Sequence, residues 1–159
     1  METNKPGPIY RVADLSIEKD LEAIAEMQIK AKREINHHSR FDLGDRKHLE
    51  SIMKKLKIMG KNTLIDLACI DEHPVGFTEY FLNEWYKMVE HKLIFVQKEY
   101  RNFGVGKGLL KEMERNARKM NYESIRSYAN GEYQSFYLKN GFVKKNYRKG
   151  EECMVLNLK

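Results

Sequence analysis

The residues best placed to do chemistry form a short loop of glycine and basic side chains. Arg101, Gly104 and Gly106 follow the apolar run 93–95 and come directly before a segment with helical periodicity. The first turn of a helix has free N–H groups that point at an anion, and the helix dipole favours negative charge there. Glycine lets the backbone approach phosphates closely and adopt unusual dihedral angles. This order of strand, loop and helix predicts a binding site for a phosphorylated ligand.

Two other phosphate-binding motifs do not fit this loop. A Walker P-loop continues from Gly-Lys to Ser or Thr, whereas Lys107 is followed by Gly108, so no hydroxyl is placed to hold magnesium. A dinucleotide-binding fingerprint needs different glycine intervals and an acidic residue at the end of the next strand. The next predicted strand, residues 124–129, ends without an acid. The remaining alternative is a flexible glycine turn that only begins a helix.

The loop is part of a longer pattern that resembles motif A of the GCN5-related N-acetyltransferase (GNAT) superfamily. The pattern reads Val96-x3-Tyr100-Arg101-x2-Gly104-x-Gly106 and continues into an amphipathic helix. A second pattern, Asn130-x6-Tyr137-x3-Gly141-Phe142, is similar to motif B of that superfamily. The resemblance is specific over residues 90–142. It implies a domain that binds acetyl-CoA and transfers the acetyl group directly to a primary amine.

The resemblance also implies which residues contact acetyl-CoA. Tyr137 takes the place of a tyrosine that often protonates the coenzyme A thiolate; the alternative is a packed aromatic residue. Asn130 resembles an asparagine on the pantetheine or substrate side; the alternative is a helix cap. The cofactor-binding residues expected from the resemblance are Ile94, Val96, Arg101, Asn102, Phe103, Gly104, Val105, Gly106, Lys107, Asn130 and Tyr137.

Glu90 is the predicted general base, because its distance from the phosphate loop resembles that of the base in histone-type members of the superfamily. It has the same parity as Ile94 and Val96, which predicts that all three lie on one face of the sheet. An exposed strand glutamate is the alternative, and Glu79 on the preceding strand is the second candidate. Direct acetyl transfer needs no covalent intermediate, so Cys153 is expected to fill the core.

The elements that must position these residues follow from the hydrophobic periodicity, which predicts one domain over residues 1–159. The predicted order is β-α-α-β-β-β-α-β-α-β-β. We expect an α+β fold with a mixed, mostly antiparallel central sheet of about seven strands and about four flanking helices. This order matches the GNAT superfamily, whose fourth and fifth strands splay apart and hold the pantetheine arm between them.

Composition narrows the choice of partners and location. The net charge is +6, but basic and acidic residues are interspersed without a one-sided basic stripe, which argues against nucleic acid. The surplus suits coenzyme A, which carries several phosphate charges. No apolar stretch approaches about 18 residues, so neither a signal peptide nor a membrane span is expected. The two cysteines are expected to be free thiols of a cytoplasmic protein.

The acceptor amine stays open at this point. His37, His38 and His48 have no cysteine or acid at zinc-ligand spacing, so no metal is expected. We expect these histidines to lie in a solvent-facing polar loop. The alternative is that this loop borders the substrate, with Glu34, His37, His38 and Asp42 lining the acceptor pocket. The carboxylates favour a small-molecule amine, such as a polyamine or an aminoglycoside. A protein or peptide amine, and a non-catalytic acyl-CoA-binding regulatory module, are the alternatives.

Trp85 and Tyr86 lie in the predicted turn between the third and fourth strands. We expect exposed turn aromatics there. A homodimer contact and a lid over the acceptor are the two functional alternatives for this pair.

Overall fold

The structure, a computed structural model, describes residues 7–35, 46–129, 131–146 and 151–159. Its strands are β1 Ile9–Val12, β2 Thr63–Ile70, β3 His73–Asn83, β4 Met88–Val96, β5 Ser124–Ser127, β6 Val143–Asn146 and β7 Glu152–Asn157. Its helices are α1 Glu18–Ile35, α2 Arg46–Lys57, α3 Val105–Lys119 and α4 Gln134–Lys139. The order of the elements is the one that the sequence predicts.

The seven strands form one mixed sheet in the order β1-β2-β3-β4-β5-β7-β6. β4 and β5 are parallel, and the other neighbouring strands are antiparallel. A parallel pair needs a crossover connection, which α3 supplies between β4 and β5. The predicted fold class, a GNAT-like α+β sheet with four flanking helices, is therefore confirmed over the described residues.

Two hydrophobic clusters lie on opposite faces of the sheet. Phe77 and Phe95 pack on one face with apolar residues of α1 and α2. Tyr80 and Val89 pack on the other face with the buried stripe of α3 and with α4. Side chains alternate between the two faces along a strand. β3 and β4 therefore contribute to both clusters and separate the α1 side of the domain from the α3 side.

β4 and β5 separate from each other halfway along β4. Their pairing runs from Met88 opposite Ser124 to His91 opposite Ser127, where β5 ends. β4 continues to Val96 with β3 as its partner on the other edge. The edge of β4 beyond His91 is thus not covered by β5. This confirms the predicted splay of the fourth and fifth strands.

A β-bulge in β4 lies at the same point. Glu79 of β3 is opposite Leu93 and Tyr80 is opposite His91, so Lys92 is an extra residue of β4. An extra residue reverses the alternation of the side chains beyond it. The prediction that Glu90 shares a face with Ile94 and Val96 is therefore wrong. Glu90 faces the α1 side, whereas Ile94 and Val96 face the α3 side.

A buried carboxylate lies between β2 and α3. Asp66 is fully buried and accepts hydrogen bonds from the Tyr80 hydroxyl at 3.0 Å and from Asn116 Nδ2 at 3.3 Å. Burial raises the pKa of Asp66 to about 6, with Tyr80 and Asn116 acting in the opposite direction. The protonated form of Asp66 is therefore favoured more strongly in the folded state than in the unfolded state.

The cysteines and the aromatic turn are placed as the sequence predicts. Cys69 and Cys153 are buried free thiols. Trp85 and Tyr86 are 95% and 76% exposed in the turn between β3 and β4. Among the described residues, no helix has both the length and the apolar character needed to cross a membrane.

Candidate active site

The predicted phosphate loop forms the N-terminus of α3. Gly104 precedes the helix with a left-handed backbone (φ 81°), and Asn102 is also left-handed (φ 66°). The N–H of Gly108 donates to the carbonyl of Gly104 at 2.9 Å. The N–H groups of residues 105–107 precede this bond, so they have no acceptor within the helix. Such groups form an anion-binding site, which is the chemistry that the sequence predicts here.

The three glycines of the loop differ in what a Cβ at each position would meet. A Cβ on Gly104 would meet nothing within 4 Å, so the left-handed backbone is what requires glycine. A Cβ on Gly106 would lie 3.4 Å from the Phe136 ring of α4, and one on Gly108 would overlap the Tyr10 hydroxyl of β1. Gly108 therefore allows α3 to lie close to Tyr10, whereas a Cβ on Gly106 would make ordinary van der Waals contact.

The Arg101 side chain ties the loop to α1 and β4. Its Nη2 donates to Glu34 Oε2 at 2.6 Å, and its Nε donates to the carbonyl of Val96 at 2.8 Å. The guanidinium also lies 5.5 Å from the centre of the Phe95 ring. Arg101 and Glu34 are partly exposed, so their ion pair stabilises the loop by about 1 kcal/mol or less. Arg101 thus anchors the loop as well as adding positive charge.

The other side chains of the loop divide into exposed and buried ones. Phe103 and Lys107 are exposed, and Lys107 adds positive charge at the first turn of α3. Val105 is buried and packs with Leu109 against the sheet. The buried side chain fixes the first turn, while the exposed lysine attracts an anion toward it.

The uncovered edge of β4 leads toward this helix terminus. Ile94 and Val96 are half-buried on the α3 side. A Cβ on Gly106 would lie 3.8 Å from Val96 Cγ2, which places the end of β4 beside the first turn of α3. A ligand with an anionic group at α3 and an extended arm along β4 would therefore contact both predicted segments.

Tyr137 lies where β4 and β5 separate. Its hydroxyl is 3.0 Å from His91 Nδ1. His91 and Ser127 are the last paired residues of the two strands. Tyr137 packs edge-on against Phe136 and Phe142 and is 5% exposed. The predicted acid is therefore held at the apex of the splay.

Burial keeps both groups at the apex neutral. It raises the pKa of the Tyr137 phenol, with the Ser127 side chain acting in the opposite direction. It lowers the pKa of His91 to about 4, with a hydrogen bond to the Leu93 carbonyl acting in the opposite direction. At neutral pH, Tyr137 therefore carries a proton that it can donate, and His91 is uncharged.

Two carboxylates lie near the bulge on the face of the sheet that packs against α1. Glu90 accepts hydrogen bonds from Lys92 Nζ at 2.7 Å and Asn83 Nδ2 at 2.9 Å, and these lower its pKa. Glu79 accepts one from Gln28 Nε2 at 3.2 Å, and burial raises its pKa. Glu90 therefore has the lower pKa of the two while it is bound to Lys92, and Glu79 has the higher pKa.

His91 and Thr78 are the site residues that sequence reasoning missed. Thr78 Oγ1 lies 2.8 Å from His91 Nε2 and 3.2 Å from the carbonyl of Leu93, and both side chains are buried. Their positions depend on the bulge at Lys92, which has no signature in the sequence pattern. The available signal was a histidine in the middle of β4, between the predicted base Glu90 and Lys92.

Some predicted residues cannot be compared with the structure. Asn130, His37, His38 and Asp42 lie outside the described residues. Within residues 7–35, 46–129, 131–146 and 151–159, there is no group of three or more His, Cys, Asp or Glu side chains that could hold a metal ion.

Residues 62–144, just over half of the chain, match a family model described as an acetyltransferase (GNAT) domain. The matched segment extends from the start of β2 to β6 and contains the phosphate loop, the splayed strands and α4. The chain therefore belongs to the GNAT acetyltransferase family. A comparison with curated proteins gives no match.

Several solved structures share the fold over nearly their whole length. PaiA N-acetyltransferase from Thermoplasma acidophilum, in complex with coenzyme A, is 22% identical with a TM-score of 0.71, covering 96% of this chain and 99% of that one. An aminoglycoside 6'-N-acetyltransferase complexed with coenzyme A is 12% identical with a TM-score of 0.69, covering 95% of this chain and 97% of that one. Tetrahymena GCN5 is 13% identical with a TM-score of 0.72, covering 95% and 96%. At these identities, the likeness shows the fold.

Proposed function

We propose that the chain is an acetyl-CoA-dependent N-acetyltransferase that acts on the primary amine of a small molecule. The observation that carries the proposal is the position of Tyr137 at the apex of the β4–β5 splay. From this apex, the uncovered edge of β4 leads to the free N–H groups of α3. A thioester on an extended, phosphorylated arm has the shape that such an arrangement accepts.

The residues present fit coenzyme A. The open space around the Cα of Gly104 and the N–H groups of residues 105–107 suit a pyrophosphate. The backbone of β4 beyond His91 offers an edge to which the amide groups of the pantetheine arm can bind as an added strand does. Two of the structures with this fold contain coenzyme A, which supports the same proposal.

Tyr137 has the properties of a general acid for the departing thiolate. Its pKa is raised by burial, so the phenol is protonated at neutral pH and donates only to a strong base. The thiolate takes the hydroxyl proton as the carbon–sulfur bond breaks. Water returns a proton to the phenolate after the product leaves.

Glu90 is the proposed general base for the amine. It lies on the α1 side of the sheet, across β4 from the Tyr137 side. An incoming substrate ammonium would compete with Lys92 for this carboxylate. Once Lys92 is displaced, the ammonium partner of Glu90 is the substrate itself, and transfer of its N–H proton to the carboxylate leaves a neutral amine and a protonated Glu90 without a cation beside it.

A small cationic acceptor suits the charges on this side. Glu79 and Glu90 are two carboxylates on one face of neighbouring strands, and both attract an amine that arrives as an ammonium ion. An aminoglycoside acetyltransferase shares the fold, which is consistent with a small polyamine or aminosugar as the acceptor.

The direct test is release of coenzyme A thiol from acetyl-CoA with a panel of polyamines, aminoglycosides and lysine peptides. We expect turnover with at least one small amine, and a loss of kcat of about 100-fold or more in Tyr137→Phe. Tyr86→Phe is the matched control, because the Tyr86 side chain is 76% exposed in the turn between β3 and β4. Turnover with peptides alone would refute the small-molecule acceptor, and coenzyme A binding without any turnover would refute the enzyme.

A further inference from the structure

A continuous chain of hydrogen bonds runs from Tyr137 into the sheet. The Tyr137 hydroxyl is 3.0 Å from His91 Nδ1, and His91 Nε2 is 2.8 Å from Thr78 Oγ1. Thr78 Oγ1 is in turn 3.2 Å from the carbonyl oxygen of Leu93. The His91 ring is 4% exposed. A buried imidazole is costly unless both nitrogens are hydrogen-bonded, and here Tyr137 and Thr78 satisfy them.

The Leu93 carbonyl at the far end determines which group donates in each of these hydrogen bonds. Leu93 O only accepts, so the Thr78 hydroxyl donates to it and accepts from His91 Nε2–H. His91 Nδ1 then carries no hydrogen and accepts from the Tyr137 hydroxyl. In this arrangement, the acidic hydrogen of Tyr137 points at the imidazole.

A second arrangement uses the same heavy atoms. If the Thr78 hydroxyl turns away from the Leu93 carbonyl and donates to His91 Nε2 instead, the imidazole hydrogen moves to Nδ1 and is donated to the Tyr137 oxygen. The phenol hydrogen is then free to point away from His91. After that hydrogen leaves, the negative phenolate oxygen still accepts a hydrogen bond from Nδ1–H, and such charge-assisted bonds are the stronger kind.

We infer that His91 is a positioning residue for the acid, whose Nδ1 holds the Tyr137 oxygen at the apex of the splay by a hydrogen bond. The inference rests on the proposed function, because it needs Tyr137 to give up a proton. The balance is simple: the Tyr137 O–H bond breaks, the sulfur–hydrogen bond forms, and the negative charge moves from sulfur to the phenolate. His91 keeps its single proton throughout and stays neutral.

A structural role alone would give a different pattern of kinetics. A ring that only fills space is replaced by another ring, and its loss affects binding and stability as much as the chemical step. A residue that acts through Tyr137 affects kcat, leaves the KM for acetyl-CoA nearly unchanged, and has no effect once the hydroxyl of Tyr137 is gone. A double-mutant cycle separates these cases.

The experiment measures kcat and KM for acetyl-CoA in His91→Phe, Tyr137→Phe and the double variant, with circular dichroism to verify folding. We expect His91→Phe to lower kcat by about 10- to 100-fold with KM within about twofold of wild type. In the Tyr137→Phe background, the same change should alter kcat by less than about twofold. Equal losses in both backgrounds, or a folded His91→Phe with the kcat of wild type, would overturn the inference.

A second pair of variants covers the case in which His91→Phe fails to fold. His91→Asn places an amide near the position of Nδ1, and His91→Gln reaches toward the position of Nε2. We expect kcat of His91→Asn to exceed that of His91→Gln by about tenfold, because only the former can bond to Tyr137. Equal values would overturn the inference.

Failure of this inference is distinguishable from failure of the proposed function. Wild-type protein without turnover on any amine would refute the function and the inference together. Turnover that is lost in Tyr137→Phe and kept in His91→Phe would refute only the role of His91.

Discussion

Replacing Gly104 by alanine tests the phosphate loop most sharply. Gly104 has a left-handed backbone (φ 81°), and a Cβ built there meets no protein atom within 4 Å. The change therefore creates no clash within the protein. Its effect comes from the backbone conformation, and from a methyl group in the space where the phosphates are proposed to bind.

The magnitude follows from the cost of the left-handed region. An alanine in this conformation is strained by about 1–2 kcal/mol. The free loop can relieve that strain by changing its dihedral angles, but the ligand-bound loop needs the original geometry. The strain is then present in the bound state and weakens the free energy of acetyl-CoA binding by the same amount. We therefore expect the KM for acetyl-CoA to rise by about 5- to 30-fold. Because the unliganded loop also has this conformation, the free energy of unfolding should fall by no more than the same amount, about 1–2 kcal/mol.

The assay compares the KM for acetyl-CoA and the unfolding curve of Gly104→Ala with those of two controls. Gly60→Ala makes the same chemical change at a glycine with open surroundings and no left-handed backbone. Asn121→Gly introduces glycine at a left-handed position outside the loop, just after α3. Both controls should keep the KM of wild type. A Gly104→Ala protein with unchanged KM would mean that the loop does not hold the phosphates.

Three further predictions concern charged side chains. Arg101→Ala and Glu34→Gln should each raise the KM for acetyl-CoA by about fivefold or less, because their ion pair is partly exposed; a larger, unequal effect would contradict the anchoring role. Glu90→Gln should lower kcat by about 100-fold and Glu79→Gln by less than about threefold, and the reverse result would transfer the base to Glu79. The folded-state pKa of Asp66, about 6, exceeds its ordinary value, so wild type loses stability as pH rises from about 4 to about 6. In urea unfolding, Asp66→Asn should therefore gain stability relative to wild type by on the order of 2 kcal/mol between pH 4 and pH 7; a constant difference would contradict this.

The fold was predictable because its signals are local. Apolar residues at helical spacing, such as Leu109 and Met113, mark α3, and both are buried where the pattern predicts. The phosphate loop was predictable for the same reason, since strand, glycines and helix follow one another in the chain. The left-handed backbone of Gly104 is a property of one residue, and glycine indicates it directly.

The rest of the site depends on contacts between distant segments. The bulge at Lys92 is set by the pairing of β3 and β4, and it reverses the faces of the residues that follow. For this reason, the prediction that Glu90 shares a face with Ile94 and Val96 was wrong. The partner of Arg101 on α1 and the contact between His91 and Tyr137 join residues that are far apart in the chain. No pattern within a single segment indicates such pairs.

The central claim is that α3 and the splayed strands bind a phosphorylated thioester carrier. Calorimetric titration of the wild-type chain with coenzyme A tests it most directly, with pantetheine, which lacks the pyrophosphate and the attached adenosine 3'-phosphate, as the comparison ligand. We expect saturable one-to-one binding of coenzyme A with a Kd on the order of micromolar, and binding of pantetheine that is weaker by at least about 100-fold. Equal affinity for both ligands, or no heat with coenzyme A at about 1 mM, would contradict it.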